Sequence, residues 1–190
     1  MSILHLVRHG PTHLPSLVGW SDVDVDLSDT QALARLNAGL PDVPIISSDL
    51  KRASQTADGI AGMRLRLDHS SELREFNFGD WEGMTAKDVS NAYPKAAYDY
   101  WANPGDHCPP NGESWNTGAV RFSQKIDSLL DTHDDVIVVA HMGMILTQIA
   151  RAADITAHSA LSFQIDNFSL TTLERLDAKN WRVLGINHVL

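Results

Sequence analysis

Two arginines and two histidines stand at or just after the ends of three strongly apolar stretches of the sequence. Arg8 and His9 follow the first stretch, Arg52 comes shortly after the second, and His141 ends the third. A lone residue of either type is more often structural, but four such groups together would need a shared anion, because cations repel one another. A phosphoryl group would meet that need, since arginine binds phosphate through paired hydrogen bonds. The pattern therefore predicts a site for a small phosphorylated molecule.

His9 is the predicted nucleophile of this site. Neighbouring cations lower the pKa of an imidazole, which keeps the ring neutral and able to attack phosphorus to form a phosphohistidine. Phosphoryl transfer places negative charge on the equatorial oxygens, which Arg8, Arg52 and His141 would bind. We expect this chemistry to need no metal ion and no other cofactor. The sequence offers no competing HExxH, Walker or GxGxxG motif and no closely spaced Cys/His set.

The leaving alkoxide also needs a proton donor. The stretch SSELREFNFGDWEG supplies four candidates, which are Glu72, Glu75, Asp80 and Glu82. Burial against the aromatic residues of this stretch would raise the pKa of a carboxyl group, as a general acid requires. Spacing alone does not select among the four.

Five stretches have the composition of strands. Residues 3–7, 43–48 and 135–141 are apolar on both faces, which is typical of parallel strands covered by helices on both sides. Residues 169–177 and 181–189 alternate more and predict a closing hairpin. We therefore expect an α/β fold, a three-layer α/β/α sandwich with a mostly parallel central sheet. Ligands of such sheets bind beyond the carboxyl ends of the strands, so the basic clusters should meet at one edge.

Helical patterns connect the predicted strands. A capping box at Ser28 indicates one helix, and Asp49 is the expected N-cap of the next. A long amphipathic helix is expected over residues 113–133, and another over residues 142–153. The expected apolar face of the long helix consists of Val120, Ile126, Leu129 and Leu130.

The segment 72–115 has prolines, tryptophans and glycines but no sustained period. Short helices are expected only near residues 85–92 and 95–102. We predict that this segment is an irregular insertion over the active-site end of a single domain, residues 1–190.

Composition excludes several classes of protein. The formal net charge of −9 argues against a general nucleic-acid binder. The single cysteine, Cys108, allows no intramolecular disulfide, and the sequence has neither a signal-peptide core nor a membrane-spanning stretch. We expect a cytoplasmic protein without nucleic-acid or membrane partners. The oligomeric state is open, with a homodimer among the alternatives.

Four motifs, in order along the chain, resemble those of the histidine phosphatase superfamily, also called the phosphoglycerate mutase-like family. LVRHG resembles the family signature, SSDLKRASQTA the second motif, LREFNFGDWEG the acid loop and VVAHMGMI the last motif. The resemblance implies the phosphoglycerate mutase-like fold. It also implies that His9 is the nucleophile, Arg8 and Arg52 are phosphate ligands, His141 is the second histidine and Glu75 is the proton donor.

The sequence departs from the family pattern just after the signature. Pro11 replaces the usual glutamate, and Pro15 occupies the position of an asparagine that contacts phosphate, whereas Thr12 is retained. The phosphate contact of that asparagine is then either absent or supplied by another residue, for which His13 and Ser16 are the candidates. These changes bear on the choice of substrate more than on the chemistry.

The resemblance also implies residues that bind substrate beyond the catalytic set, namely Thr12, Met142, Glu113 and Ser114. PPNGES, residues 109–114, resembles a loop common in bacterial phosphatases of α-ribazole phosphate and sugar phosphates, so Glu113 and Ser114 are expected at the pocket mouth. A substrate ring could stack on any of four tryptophans, which are Trp20, Trp81, Trp101 and Trp115. Packing within the protein is the expected role of most of them.

Three functions remain open. A phosphatase acting on a small phosphorylated metabolite, a sugar phosphate or an α-ribazole phosphate-like compound, is favoured. A cofactor-dependent phosphoglycerate mutase is the first alternative, but such mutases are generally longer, with extra segments that close the site against water. A non-catalytic phospholigand-binding module is the second, but such modules usually lose the nucleophile or an arginine.

Overall fold

In the computed structural model, which describes all 190 residues, five strands form one sheet. They are β1 (Ser2–Arg8), β2 (Ile45–Ser47), β3 (Asp135–Ala140), β4 (Leu170–Arg175) and β5 (Trp181–His188). Their order across the sheet is β2-β3-β1-β4-β5. The first three strands are mutually parallel, whereas β4 pairs antiparallel with both β1 and β5, so four of the five strands point the same way. The predicted mostly parallel sheet and the closing hairpin are both confirmed.

Seven α-helices accompany the sheet. They are α1 (Thr30–Gly39), α2 (Lys51–Ala61), α3 (Ala86–Ala92), α4 (Pro94–Ala102), α5 (Trp115–Leu130), α6 (Met142–Ala153) and α7 (Ala157–Ala160). The segment before α3 adds two short 3-10 helices, Ser71–Leu73 and Gly79–Trp81. None of the helices has both the length and the apolar character that crossing a lipid bilayer requires.

The helices cover both faces of the sheet, and alternate residues of β3 show how. Ile137 and Val139 belong to a buried cluster with residues of α1 and α2. Val136 and Val138 belong to a larger cluster with residues of α5 and α6. Successive side chains of a strand point to opposite faces, so a strand buried on both faces must be continuously apolar. This arrangement is the predicted three-layer sandwich.

The parallel strands end together at one edge of the sheet. Arg8, the last residue of β1, lies opposite Ala140, the last residue of β3. The backbone N–H of His9 donates to the Ala140 carbonyl at 3.0 Å, and that of Ser48 donates to the Val139 carbonyl at 3.1 Å. Helices α2 and α6 begin within a few residues of these strand ends. The basic clusters of the sequence are therefore neighbours in space, as predicted.

The predicted caps of α1 and α2 are wrong. Asp29, not Ser28, caps α1, and its Oδ1 accepts a hydrogen bond from the N–H of Ala32 at 2.9 Å. Asp49 does not cap α2, because it accepts two hydrogen bonds from Arg74 instead, at 2.8 and 2.6 Å. A charged partner distant in sequence competes successfully with the local backbone for that carboxylate.

Helix α5 is shorter than expected, and its buried face is the predicted one except at Val120. It begins at Trp115 and ends at Leu130, and Ser114 caps it by accepting from the N–H of Thr117 at 3.1 Å. Val120 is 56% exposed, so its predicted place on the buried face is wrong. Phe122 and Ile126, four residues apart, lie on that face and are fully buried.

Candidate active site

The two predicted histidines face each other at the edge of the sheet. The ring centroids of His9 and His141 are 5.1 Å apart, and the ring planes make an angle of 62°. His9 follows the last residue of β1, and His141 is the N-cap residue of α6. Both side chains are buried.

A hydrogen bond fixes the tautomer of His9. Its Nδ1 lies 2.6 Å from the backbone oxygen of Gly10. A carbonyl oxygen can only accept, so Nδ1 carries the proton and Nε2 keeps its lone pair. Burial is the main cause that lowers the pKa of His9 to about 3, and the nearby Arg52 and Arg8 lower it further. The ring is therefore neutral at pH 7 and nucleophilic at Nε2.

His141 is fully buried, and neither of its ring nitrogens has a hydrogen-bond partner within the protein. Burial first, and then the charge of Arg52, hold its pKa well below the usual range of histidine. Buried polar groups are normally paired, so a ring without protein partners is suited to a ligand oxygen. His141 itself does not line the pocket, but the two residues that follow it, Met142 and Gly143, do.

The two arginines are held mainly by backbone oxygens. Arg52 donates to the carbonyls of Ser21 at 2.9 Å and Gly19 at 2.6 Å, and more weakly to that of Val18. Arg8 donates to the Ile165 carbonyl, and its Nε has no protein partner. No carboxylate forms a salt bridge with either guanidinium group. The positive charge of both groups is therefore available to an anion in the pocket.

Glu75 is the buried carboxyl group of the site. Its Oε2 accepts from the N–H of Gly143, and its Oε1 accepts from that of Phe76, both at 3.0 Å. Gly143 permits this approach, because a Cβ atom there would lie 2.5 Å from Oε1. Burial raises the pKa of Glu75 above its ordinary value, although these hydrogen bonds and the nearby Arg52 oppose the rise. Glu75 can therefore carry a proton more readily than an exposed glutamate.

The other three candidate acids have different environments. Glu72 is exposed and accepts from Ser70, and Asp80 is exposed and accepts from Asn111. Glu82 accepts from the N–H of Trp20 at 2.7 Å and from the Ser21 hydroxyl at 2.7 Å. It therefore shapes the turn whose carbonyls bind Arg52. Of the four, only Glu75 lines the pocket.

Arg121 supports the acid loop, a role that sequence reasoning did not predict. From α5, Arg121 donates to the carbonyls of Arg74 at 2.9 Å and Glu75 at 3.1 Å. The Trp20 indole N–H also donates to the Glu75 carbonyl, at 2.8 Å. In the sequence, an arginine on an amphipathic helix cannot be distinguished from one that simply faces solvent. Arg121 and Trp20 together fix the backbone that presents Glu75.

Glu113 and Ser114 do not lie at the pocket mouth, so that expectation is wrong. Glu113 forms two hydrogen bonds with Arg121, at 2.9 and 2.8 Å, and accepts from the N–H of Asn77. Ser114 is the cap of α5. Neither residue lines the pocket. Both side chains instead form hydrogen bonds within the structure that surrounds the acid loop.

The pocket has a volume of about 230 Å³ and is lined by nineteen residues. We call four ionisable ones the floor: Arg8, His9, Arg52 and Glu75. Eleven hydrophobic ones form what we call the apolar wall. Five of these are aromatic and come from the segment 72–115: Phe76, Phe78, Tyr100, Trp101 and Trp115. Six are aliphatic: Leu14, Leu17, Val18, Met142, Leu146 and Leu161.

Thr12, Met142 and Ser16 line the pocket as the sequence predicts, whereas His13 does not. The ring of His13 is exposed and pairs with Asp26 at 2.8 Å. Among the tryptophans, Trp101 and Trp115 line the pocket, and Trp81 is buried in the core. The structure contains no group of three or more His, Cys, Asp or Glu residues arranged to hold a metal ion.

The chain matches known proteins over nearly its whole length. The model of the histidine phosphatase superfamily (branch 1) matches residues 4–189. The glucosyl-3-phosphoglycerate phosphatase of Mycolicibacterium vanbaalenii is 32% identical, with coverage of 87% of this chain and 76% of the relative. The adenosylcobalamin/alpha-ribazole phosphatase of Escherichia coli is 26% identical, with coverage of 97% and 98%.

A solved structure agrees with these relatives. YhfR of Bacillus stearothermophilus superimposes with a TM-score of 0.89 at 26% identity, covering 100% of this chain and 98% of that one. The strand-end histidines, the two arginines and the buried glutamate thus occur in a chain whose sequence and fold both match one family. The protein belongs to the histidine phosphatase superfamily, branch 1.

Proposed function

We propose that this protein hydrolyses phosphomonoesters of small metabolites through a phosphohistidine formed at His9. One observation carries the proposal. A neutral imidazole, with its Nδ1 bound to Gly10 and its Nε2 unprotonated, shares a pocket with two guanidinium groups and a buried carboxyl group. These are the parts that phosphoryl transfer through a covalent intermediate requires.

In the first step, Nε2 of His9 attacks phosphorus in line with the leaving oxygen. The N–P bond forms as the P–O bond breaks, and Glu75 donates its proton to the departing alkoxide. Arg8 and Arg52, which line the pocket, bind oxygens of the transferring group, and family resemblance assigns a further oxygen to His141, whose ring centroid lies 5.1 Å from that of His9. The two guanidinium charges balance the developing negative charge, so the reaction requires no metal ion.

In the second step, water attacks the phosphohistidine. Glu75, now ionised, accepts a proton from that water, and inorganic phosphate leaves. His9 and Glu75 return to their starting protonation states. The names of the relatives, a glucosyl-3-phosphoglycerate phosphatase and an alpha-ribazole phosphatase, support a small phosphorylated metabolite as the substrate.

Labelling with radiolabelled phenyl phosphate, quenched rapidly in alkaline detergent, tests the proposal. We expect the parent and a His69→Ala control to incorporate acid-labile, alkali-stable label and to release phosphate in the presence of a metal chelator. His69 is exposed and lies outside the pocket, so it is a matched control for a lost imidazole. His9→Ala should incorporate none and release phosphate at the background rate.

Two other outcomes would replace the proposal. Isomerisation of 3-phosphoglycerate after priming with 2,3-bisphosphoglycerate, faster than hydrolysis, would indicate a mutase. Binding of inorganic phosphate with no turnover of any phosphomonoester would indicate a binding module. Hydrolysis by His9→Ala at the parent rate would remove His9 from the mechanism.

A further inference from the structure

The floor and the apolar wall of the pocket would contact different parts of a substrate. The floor holds the only charged groups that line the pocket, and it is suited to a phosphoryl group. The rest of a phosphomonoester, its leaving group, must then lie against the wall. The wall therefore determines which leaving groups bind well.

The pocket has no cation for a second anionic group. Its lining includes no lysine, and its only arginines are those of the floor. Arg74 and Arg121 lie close by, but they are paired with Asp49 at 2.6 Å and Glu113 at 2.8 Å. A carboxylate or second phosphate on the substrate would lose its hydration without gaining a partner. The net charge of −9 adds long-range repulsion of a multiply charged anion.

Few groups of the pocket could bind the hydroxyls of a sugar. Thr12 and Ser16 are the only aliphatic hydroxyls in the lining, and Tyr100 adds one phenol. A site that recognises a polyhydroxylated compound needs several polar groups around it, because each unpaired buried hydroxyl lowers affinity. The wall instead presents carbon atoms on most of its surface.

Most aromatic rings of the wall are buried, whereas other apolar side chains of the wall stay partly exposed. Phe76 and Trp115 lie with ring centroids 5.7 Å apart, and Tyr100 meets Trp101 edge to face at 4.7 Å. Trp101 is 36% exposed and Leu14 is 47% exposed. An apolar leaving group would remove this surface from water, which is favourable in proportion to the area covered.

Resting on the proposed function, we propose that the preferred substrates are phosphomonoesters whose leaving group has an apolar, aryl-containing body and no second charge. The sequence leaves two substrate classes open, sugar phosphates and α-ribazole phosphate-like compounds. The proposal favours the second class, whose members carry an aromatic ring. It also separates this pocket from one built for phosphoglycerate, which carries a carboxylate.

Three primary alkyl phosphates with similarly poor leaving groups test the proposal: 3-phenylpropyl phosphate, glycerol 3-phosphate and 3-phosphoglycerate. We expect kcat/KM to be highest for 3-phenylpropyl phosphate, by about tenfold or more over glycerol 3-phosphate, since one phenyl ring becomes buried. 3-Phosphoglycerate should be the poorest of the three. Equal or higher kcat/KM for either polar substrate would overturn the proposal.

A variant of an exposed wall residue, with a matched control outside the pocket, connects this preference to the wall. Trp101→Ala should lower kcat/KM for 3-phenylpropyl phosphate by about tenfold more than it lowers kcat/KM for glycerol 3-phosphate. Tyr98→Ala is the matched control, because Tyr98 lies on the same helix, is 68% exposed and does not line the pocket. Equal effects of Trp101→Ala and Tyr98→Ala would contradict the proposal.

Leu14→Lys adds the missing cation at the pocket mouth. It should raise kcat/KM for 3-phosphoglycerate and lower it for 3-phenylpropyl phosphate. Leu184→Lys, at a leucine that is 50% exposed on β5, is the control and should change neither value of kcat/KM.

Phosphohistidine labelling distinguishes failure of this proposal from failure of the proposed function. Labelling without the apolar preference overturns this proposal alone, whereas no labelling and no turnover overturn the proposed function with it.

Discussion

The floor and the apolar wall of the pocket differ in how the chain builds them. The floor residues come from the ends of strands, the start of a helix and a loop fixed by many hydrogen bonds, and all are buried or nearly so. Five of the eleven wall residues come from the segment 72–115 and six from other parts of the chain, and Trp101, Leu14 and Met142 on the wall remain partly exposed. The comparison suggests that the chemistry belongs to the floor and substrate choice to the wall. Substitutions in the floor should then slow all substrates, and substitutions in the wall should reorder them.

Removal of an arginine from the floor should have the largest effect. Arg52→Ala takes away a guanidinium that balances charge on the transferring phosphoryl group. We expect kcat/KM to fall by about a thousandfold, since a charge-stabilising donor in a water-excluded site has this order of effect. The fall should be similar for 3-phenylpropyl phosphate and glycerol 3-phosphate. Arg182→Ala, at an exposed arginine on β5, is the control. A loss confined to one substrate would contradict the division between floor and wall.

Glu75→Gln should have the next largest effect, and it should depend on the leaving group. Glutamine cannot donate the proton, so kcat/KM, which covers only the steps up to release of the leaving group, should fall by about a hundredfold or more with alkyl phosphates. With aryl phosphates the fall should be smaller, because a phenolate leaves with less assistance. The measurement is the ratio of kcat/KM for 3-phenylpropyl phosphate to that for phenyl phosphate, in parent and variant. The same loss with both substrates would remove Glu75 from the acid role.

The pH dependence of kcat/KM should reflect the two shifted groups. His9 must be neutral, so activity should fall on the acid side only as pH approaches its pKa of about 3. Glu75 must be protonated, so activity should fall on the alkaline side as pH rises through its pKa, which burial raises. The ratio of parent to Glu75→Gln cancels the ionisation of the substrate and should decrease by about tenfold per pH unit on the alkaline side. A ratio independent of pH would contradict this assignment.

Arg121→Ala should have a smaller effect of the same kind as Glu75→Gln. Without its hydrogen bonds to the carbonyls of Arg74 and Glu75, the acid loop loses part of its support. We expect kcat/KM to fall by about tenfold with alkyl phosphates and less with aryl phosphates, since small misplacement of a catalytic group reduces rate. Arg121→Lys should recover part of the activity. An equal fall with both substrate types would indicate a general loss of structure instead.

Ser114→Ala should have the smallest effect on activity. Because Ser114 caps α5, its loss should lower the free energy of unfolding by about 1 kcal/mol, measured by denaturant titration. The kcat/KM for all three alkyl phosphates should stay the same. A substrate-dependent change in kcat/KM with unchanged stability would restore the role at the pocket mouth that the sequence suggested.

The grouping of basic residues at the carboxyl ends of the parallel strands was predictable, because it depends on patterns over a few neighbouring residues of the sequence. A continuous apolar run identifies a parallel strand, and the geometry of parallel strands brings their carboxyl ends together. Arg8, His9 and His141 could therefore be expected near one another from their positions alone. Glu75 required family resemblance, since nothing in its spacing separates it from Glu82.

The partners of Asp49 and Glu113 could not be predicted in the same way. Asp49 follows a strand as a helix cap would, and Glu113 lies in a family-like loop. Each carboxylate is instead bound by an arginine supplied from another element, Arg74 or Arg121. Such pairs form only once the fold is complete, and no periodicity of the sequence records them.

The central claim is that Nε2 of His9 carries the phosphoryl group. Phosphorus NMR of the rapidly quenched enzyme, together with peptide mapping, distinguishes the two ring nitrogens and the two histidines. Because Nδ1 of His9 is bound to the Gly10 carbonyl, we predict Nε2-phosphohistidine in the peptide that contains His9. A phosphoryl group on Nδ1 of His9 or on His141, or turnover with no phosphorylated histidine, would contradict the account.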